Sequence, residues 1–413
     1  MAMWSRNAIA CVLTVTLLAA VPVYAQGNSG KGGGKGGGGD DGGSDGGGDT
    51  SPEVCQDRAA AFVYRTENSK GGEDIMLASS EGCSLTLLTS REYAVPERLA
   101  YHLDSASDEG IILWTERDPD LGWVAHEIWA LRFSVDKESG ALSVGDPQQL
   151  VSAFDNVPDP TYTRLPGDVR LDEDGSVYAT LLHRDWIEVG ESATSDIQLV
   201  KWASDEFPHG PVTVTLVPAD LSLCYADDDC LDTADDNVSL RLDSPVFGLS
   251  AGAPESLFAN FKLRGPSGDG FGGVLYWSNY GSDPDVLAYS VISSYSSGSD
   301  PRIASTSPVL PDAEILLRHF VSEPGRGEYY GSVVDVNCLM PVAVDGPDAW
   351  QQCLSDTDGR QIVGARFGAA WLKPGVIVHS MHARKSTDIY RYDIATGSST
   401  RIITGGWFPV AAH

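Results

Sequence analysis

The sequence predicts an all-β chain closed as a six-bladed propeller of four-stranded antiparallel blades. Three observations predict it. Short β-branched and aromatic runs recur, at 61–66 (AFVYRT), 110–116 (GIILWTE), 176–182 (SVYATLL), 273–279 (GVLYWSN) and 375–381 (GVIVHSM), each bounded by turn residues. No segment longer than about ten residues carries a clean helical period. Finally, a hairpin pattern repeats, and its units cannot bury their faces alone, so they must stack on one another.

The repeat is clearest at the end of the chain. Asp388-Ile389-Tyr390-Arg391 leads to Gly397 and closes at Ile403-Thr404, while Asp74-Ile75-Met76-Leu77 leads to Gly82 and closes at Leu88-Thr89. Weaker copies are Glu127-Ile128-Trp129 with Gly140, Asp196-Ile197-Gln198-Leu199, and Asp285-Val286-Leu287-Ala288-Tyr289, and 328–336 (EYYGSVVDV) fills the one double-length gap. Each copy follows an apolar run after a polar loop. Strand, loop, Asp-Ile strand, Gly turn and strand make one blade, with roughly 60 residues available to each.

These hairpins resemble those of the TolB-type six-bladed propellers of bacterial envelopes, which carry an aspartate-isoleucine-aromatic strand, a glycine turn and a leucine-threonine close. The aspartate-glycine turn common in that family stands here as Asp174-Gly175 and is altered to Glu109-Gly110 and Pro374-Gly375. The resemblance implies an exported envelope protein and spans most of 53–413. It implies no single activity, because such propellers dock proteins, gate substrates or act as enzymes.

What precedes the repeats has a different character. Arg6, an apolar stretch from Ala8 to Ala20, Pro22 and the small residues of Val23-Tyr24-Ala25 read as a cleaved secretory signal over 1–25. Residues 26–52 are nearly all Gly, Asp, Ser and Lys, a disordered linker with a coil span of roughly 25–30 Å. A periplasmic or secreted location follows, with no transmembrane span in the mature chain. Apart from Cys11, six cysteines remain. Fifteen pairings are open in principle, and sequence proximity favours Cys55–Cys83, Cys224–Cys230 and Cys338–Cys353.

Charge narrows the partners. With 28 basic and 58 acidic residues, the formal charge of −30 repels nucleic acid and anionic membranes. The hydrophobic fraction of 42% suffices for a large core. A monomer is expected.

Four motifs invite chemistry. Gly248-Leu249-Ser250-Ala251-Gly252 matches a nucleophile elbow, with Asp335 and His379 in chain order to complete a triad. Pro254 and the strand-like SLFANFKL that follow give it the wrong context. The loop at 224–237 (CYADDDCLDTADDN) gathers Asp227, Asp229, Asp232 and Asp235, oxygen ligands of the kind calcium takes, without the glycine and terminal glutamate of an EF-hand. No other cofactor is expected. The resemblance to the TolB-type blade implies a third set, on the connections between second and third strands: Arg65, Glu67, Glu116, Arg117, His183, Arg184, Asp185, Asn279, His382 and Arg384. Such loops converge on one mouth of a propeller and form a ligand-binding rim. Finally, Trp114, Trp123, Trp129, Trp186, Trp202 and Trp277 lie in or beside strands, where they fill wedges between blades or stack on sugars.

The functional expectation is a binding module without catalysis, docking an envelope protein, peptide or saccharide over the mouth. The alternative is a polysaccharide lyase or hydrolase using His183 or His382 as base beside Arg184 or Glu116.

Overall fold

The protein is described from a computed structural model covering residues 60–411, apart from 83–84, 105, 118–125, 137–138, 140, 153–161, 186–194, 217–219, 226–228, 249–255, 293–301, 307–313, 323–332, 342–351, 354–367 and 384–385. Between 302 and 353 the description is of backbone. The segments expected as signal and linker lie outside the described residues, as do Cys55 and Cys83.

The strands hydrogen-bond in sequence order within each sheet. Strands β1 (Ala60–Glu67), β2 (Glu73–Ser79) and β3 (Leu85–Arg91) start the first sheet. Strands β4 (Arg98–Leu103), β5 (Glu109–Arg117), β6 (His126–Val135), β7 (Leu142–Val144) and β8 (Gln148–Val151) form the second, and β7 and β8 both pair with β6. The third is β9 (Tyr162–Leu171), β10 (Val177–Asp185), β11 (Ser195–Trp202) and β12 (Val212–Thr215). A small ribbon of β13 (Ser222–Cys224) and β14 (Cys230–Asp232) precedes the sheet of β15 (Ser239–Phe247), β16 (Leu257–Arg264), β17 (Gly270–Trp277) and β18 (Asp285–Ile292). Then come β19 (Arg302–Thr306), β20 (Glu314–Ser322), β21 (Val333–Pro341) and β22 (Gln352–Cys353). The last group is β23 (Ala369–Lys373), β24 (Val376–Ala383), β25 (Ser386–Asp393) and β26 (Ser398–Ile403). The final strand, β27 (Gly406–Ala411), returns to pair with β1 and completes the first sheet in the order β27-β1-β2-β3.

The leading strand of each sheet touches its counterpart in the next: β4 meets β9, β9 meets β15, β15 meets β19, β19 meets β23, β23 meets β27 and β27 meets β4. The sheets are therefore the spokes of a propeller closed by the pairing of β27 with β1. The expectation of six four-stranded blades needs correction. Five sheets have four strands, and the β4–β8 sheet has five, because both β7 and β8 find room along the ten-residue β6.

Period-2 alternation places the core. In β10, Val177, Ala179 and Leu181 pack with Ile111, Leu113, Ile128 and Ala130 of the preceding sheet, while Tyr178 and Leu182 pack with Leu257 and Ala259 of the following one. In β5, Ile112 and Trp114 turn the other way, toward Val63 and Ile75. Both faces of a middle strand are thus buried, which explains runs that are apolar rather than alternating. Each buried Val, Leu or Ile among them contributes about 1.5–3 kcal/mol. Gly110 is required where the ring of Phe133 lies on it, since a Cβ there would sit 2.2 Å from the ring. The repeat glycines Gly82 and Gly397 turn at φ of 68° and 66°, in the left-handed region that glycine tolerates best.

The repeats occupy equivalent places in four sheets. Asp74, Glu127, Asp196 and Asp388 all stand near the start of a third strand. The fourth copy is offset: Asp285 opens β18, the last strand of its sheet, and GVLYW lies in β17, the third. The cause is β16, whose apolar LFANF run takes the second place.

Candidate functional site

Hairpins between second and third strands gather one end of the spokes, and here the predicted rim residues diverge. Arg65, at the end of β1, is 5% exposed, 3.3 Å by its Nε from Glu73 Oε2, and its guanidinium carbon is 4.2 Å from the Phe408 ring centroid. Neither Arg65 Nε nor Glu73 Oε2 has hydrogen-bond alignment. Burial pushes the Glu73 carboxyl up to about 7 against the pull of Arg65, and it lowers the Arg65 pKa as well. Both shifts favour the neutral forms, so desolvation outweighs attraction in this pair.

Glu116 is 4% exposed and fully engaged. Arg91 at the end of β3 reaches it with Nε and Nη2, the latter at 2.6 Å from Oε2, while Trp114 Nε1 donates to Oε1 at 2.7 Å. The Arg91 guanidinium lies 4.9 Å from the Trp129 ring, itself stacked on Trp114. Glu116 therefore welds the first sheet to the second, and both of its carboxylate oxygens already have partners. Trp114, Trp202 and Trp277 are buried as wedge fillers, whereas Trp123 and Trp186 lie outside the described residues.

Other predicted rim positions remain at that end. Glu67 is exposed at the β1 terminus. His183 Nδ1 lies 2.9 Å from Asp196 Oδ1, joining β10 to β11. Arg117, Arg184, Asp185 and His382 are placed by their strands alone, their side chains lying outside the description, and Arg384 lies outside it altogether. Asn279 does not belong with them. It sits between β17 and β18, at the opposite end, where its Oδ1 accepts from Gly281 N at 3.1 Å. The offset of the fourth repeat is the reason.

The repeat acids are pinned. Asn68 Nδ2 donates to Asp74 at 3.2 Å, Trp129 Nε1 donates to Glu127 at 3.0 Å, and Gly405 N donates to the buried Asp388 at 3.1 Å. Sequence reasoning also missed two ties near the axis. Arg98 of β4 donates to Asp243 of β15 at 2.8 Å, and Asp168 of β9 accepts from Phe247 N at 3.0 Å. The only hint was a charged residue inside a strand.

The described carboxylates of the acidic loop make local turns. Asp232 accepts from Ala234 N at 2.8 Å, and Asp235 accepts from Asn237 N at 2.9 Å, as in ordinary Asx turns. Asp229 is exposed and Asp227 lies outside the described residues. Among the described residues no group of three or more such side chains could hold a metal ion. The Cys224–Cys230 disulfide is present across the β13–β14 pair. Cys338 and Cys353 are cross-strand partners in backbone register. The elbow motif at 249–252 lies outside the description, but strands β15 and β16 flank it. His379, its proposed partner, is 1% exposed, stacked on Tyr390, with its pKa lowered to about 4 by burial.

The fold and these hairpins define the class: an all-β propeller with four-stranded antiparallel blades. No protein-family model matches the chain, and neither does any curated protein sequence. Among solved structures the chain is similar to TolB from Acinetobacter baumannii, at 10% identity and TM-score 0.44, over 86% of this chain and 67% of that one. It is likewise similar to the Hadza microbial sialidase Hz136, at 11% identity and TM-score 0.44, over 82% and 68%. A chain of the nidogen/laminin complex aligns at 9% identity and TM-score 0.40, over 86% and 99%. Among the described residues no helix is long and apolar enough to cross a membrane.

Proposed function

We propose that this chain is an exported, TolB-like propeller of the bacterial envelope, with the β4–β8 sheet serving as its sixth blade. It docks a protein, peptide or saccharide over the mouth formed by the connections between second and third strands. The observation that carries this reading is the set of repeat acids at one end of the spokes. Asp74, Glu127, Asp196 and Asp388 occupy equivalent places, and each is held by a hydrogen bond or ion pair. A rim whose side chains are already fixed loses little entropy on binding, and that favours recognition. Glu67 and His183 supply the contacts, with Arg117, Arg184, Asp185, His382 and Arg384 alongside them.

Capture from envelope extract, with and without calcium, tests the reading. The expected result is one retained partner that is lost when Glu67→Lys and His183→Ala are combined. Capture unaffected by that pair, or turnover of a polysaccharide panel by the purified protein, would overturn it.

A further inference from the structure

Two clefts meet at Arg132, at the opposite end of the strands from the rim. One, of about 220 Å³, is lined by Glu109, Ser134, Ser143 and Leu171 together with Arg132. The other, of about 210 Å³, brings Asp146, Gln148, Ser204 and Phe207 to the same arginine. They occupy the seam between the β4–β8 and β9–β12 sheets. Glu109 begins β5 and the rim end of that strand is Arg117, so the two regions lie roughly 25–30 Å apart along it.

Arg132 is held in place without a carboxylate clamp. Its Nη2 donates to the Gly175 carbonyl at 2.9 Å, and its guanidinium carbon lies 4.7 Å from the Phe207 ring centroid. Its Nε is buried with no hydrogen-bond partner. Burial lowers its pKa, opposed by Glu109. Around it, Ser134 and Ser143 are cross-strand partners, so their hydroxyls share a face about 5 Å apart. Glu109, Asp146, Gln148 and Ser204 are exposed.

The lining chemistry selects its ligand. A carboxylate on either side of the arginine repels anions, as does the net charge of −30. Among the described residues no group of three or more His, Cys, Asp or Glu side chains could hold a metal ion there, and an apolar ligand would leave the hydroxyl and amide groups unpaired. A neutral polyhydroxyl molecule satisfies all of them. It donates to Glu109 and Asp146, accepts from Arg132 and Gln148, and lays its carbon face on Phe207 or Leu171. Together the clefts fall within the ~300–1,000 Å³ usual for small-ligand sites. We propose that the Arg132 groove is a binding site for a neutral saccharide of one or two rings, separate from the rim.

The test is titration of the whole propeller with cellobiose, maltose and diacetylchitobiose, with glucuronate and glycylglycine as controls. The readout is the Nε–H resonance of Arg132, assigned by its loss in Arg132→Lys. One of the three disaccharides is expected to shift that resonance. Asp146→Asn, at an exposed position, is expected to weaken its Kd about tenfold, as loss of a charge-assisted hydrogen bond does, and Ser143→Ala, which removes a neutral hydroxyl from the lining, about threefold. If Arg132→Lys fails to fold, the same Kd comparison is read by calorimetry on the two exposed variants. No response to any of the three sugars, equal affinity in the variants, or tighter binding of either control overturns the proposal. The readout is independent of envelope capture, so this reading and the rim reading fail separately.

Discussion

Two seams of the propeller each carry an arginine on an aromatic ring, and they are finished differently. Between the first and second sheets, Arg91 lies over Trp129 and delivers its donors to the buried Glu116. Between the second and third, Arg132 lies over Phe207 and has a backbone carbonyl for its partner, with a cleft on either side. The same pair of residue types thus seals one seam and lines a hollow in the other. What decides is whether a buried carboxylate comes with it. Arg91 commits two of its five donors and its charge to that carboxylate, whereas Arg132, parked on a ring and a carbonyl, keeps more of both for a ligand.

The comparison breaks most visibly at Glu116. Replacing it with Ala strands Arg91 and the Trp114 indole N–H, and should cost about 3–5 kcal/mol in urea unfolding. The double change Arg91→Met with Glu116→Leu should recover most of that loss. If the single change is as mild as an ordinary surface substitution, the seam is not sealed by this pair.

Next in size are two opposed pH effects, each about 3 kcal/mol. The Glu73 carboxyl, also at the sealed end, has its pKa raised from 4.5 to about 7. The folded chain then holds the extra proton between those values. Its contribution is present below about pH 4.5 and is lost as pH rises through 7. His379 behaves oppositely, with its pKa lowered from 6.5 to about 4, so its contribution is full above pH 6.5 and lost as pH falls through 4. Stability measured against pH should lose its neutral-side decline in Glu73→Gln and its acid-side decline in His379→Phe. An unchanged profile in either variant would contradict the burial argument for that group.

The smallest effect is expected in the open seam. Asp146→Asn, at an exposed position, should change unfolding free energy by less than about 0.5 kcal/mol. A loss comparable to that at Glu116 would show that the groove is as much a weld as its neighbour.

Much of the architecture was legible because it is local. Strands at 61–66, 110–116, 176–182, 273–279 and 375–381 follow from β-branched and aromatic runs, and Gly82 and Gly397 from turns that need positive φ. The fourth repeat was read one strand out of step, because LFANF and GVLYW are equally apolar and local pattern cannot rank two such neighbours. The site was less legible for a different reason. Glu116 has the spacing of a rim residue, and its burial depends on Arg91, 25 positions earlier on another sheet. Arg132 shows nothing in sequence, since Gly175 and Phe207 meet it only after the sheets are assembled.

The return of β27 to β1 has a consequence for biogenesis. The strand nearest the axis of the first blade is made after every other blade, so the opening blade waits with a vacant slot until β27 emerges. A chain cut short before Gly406 would leave that slot empty and the circle unlatched.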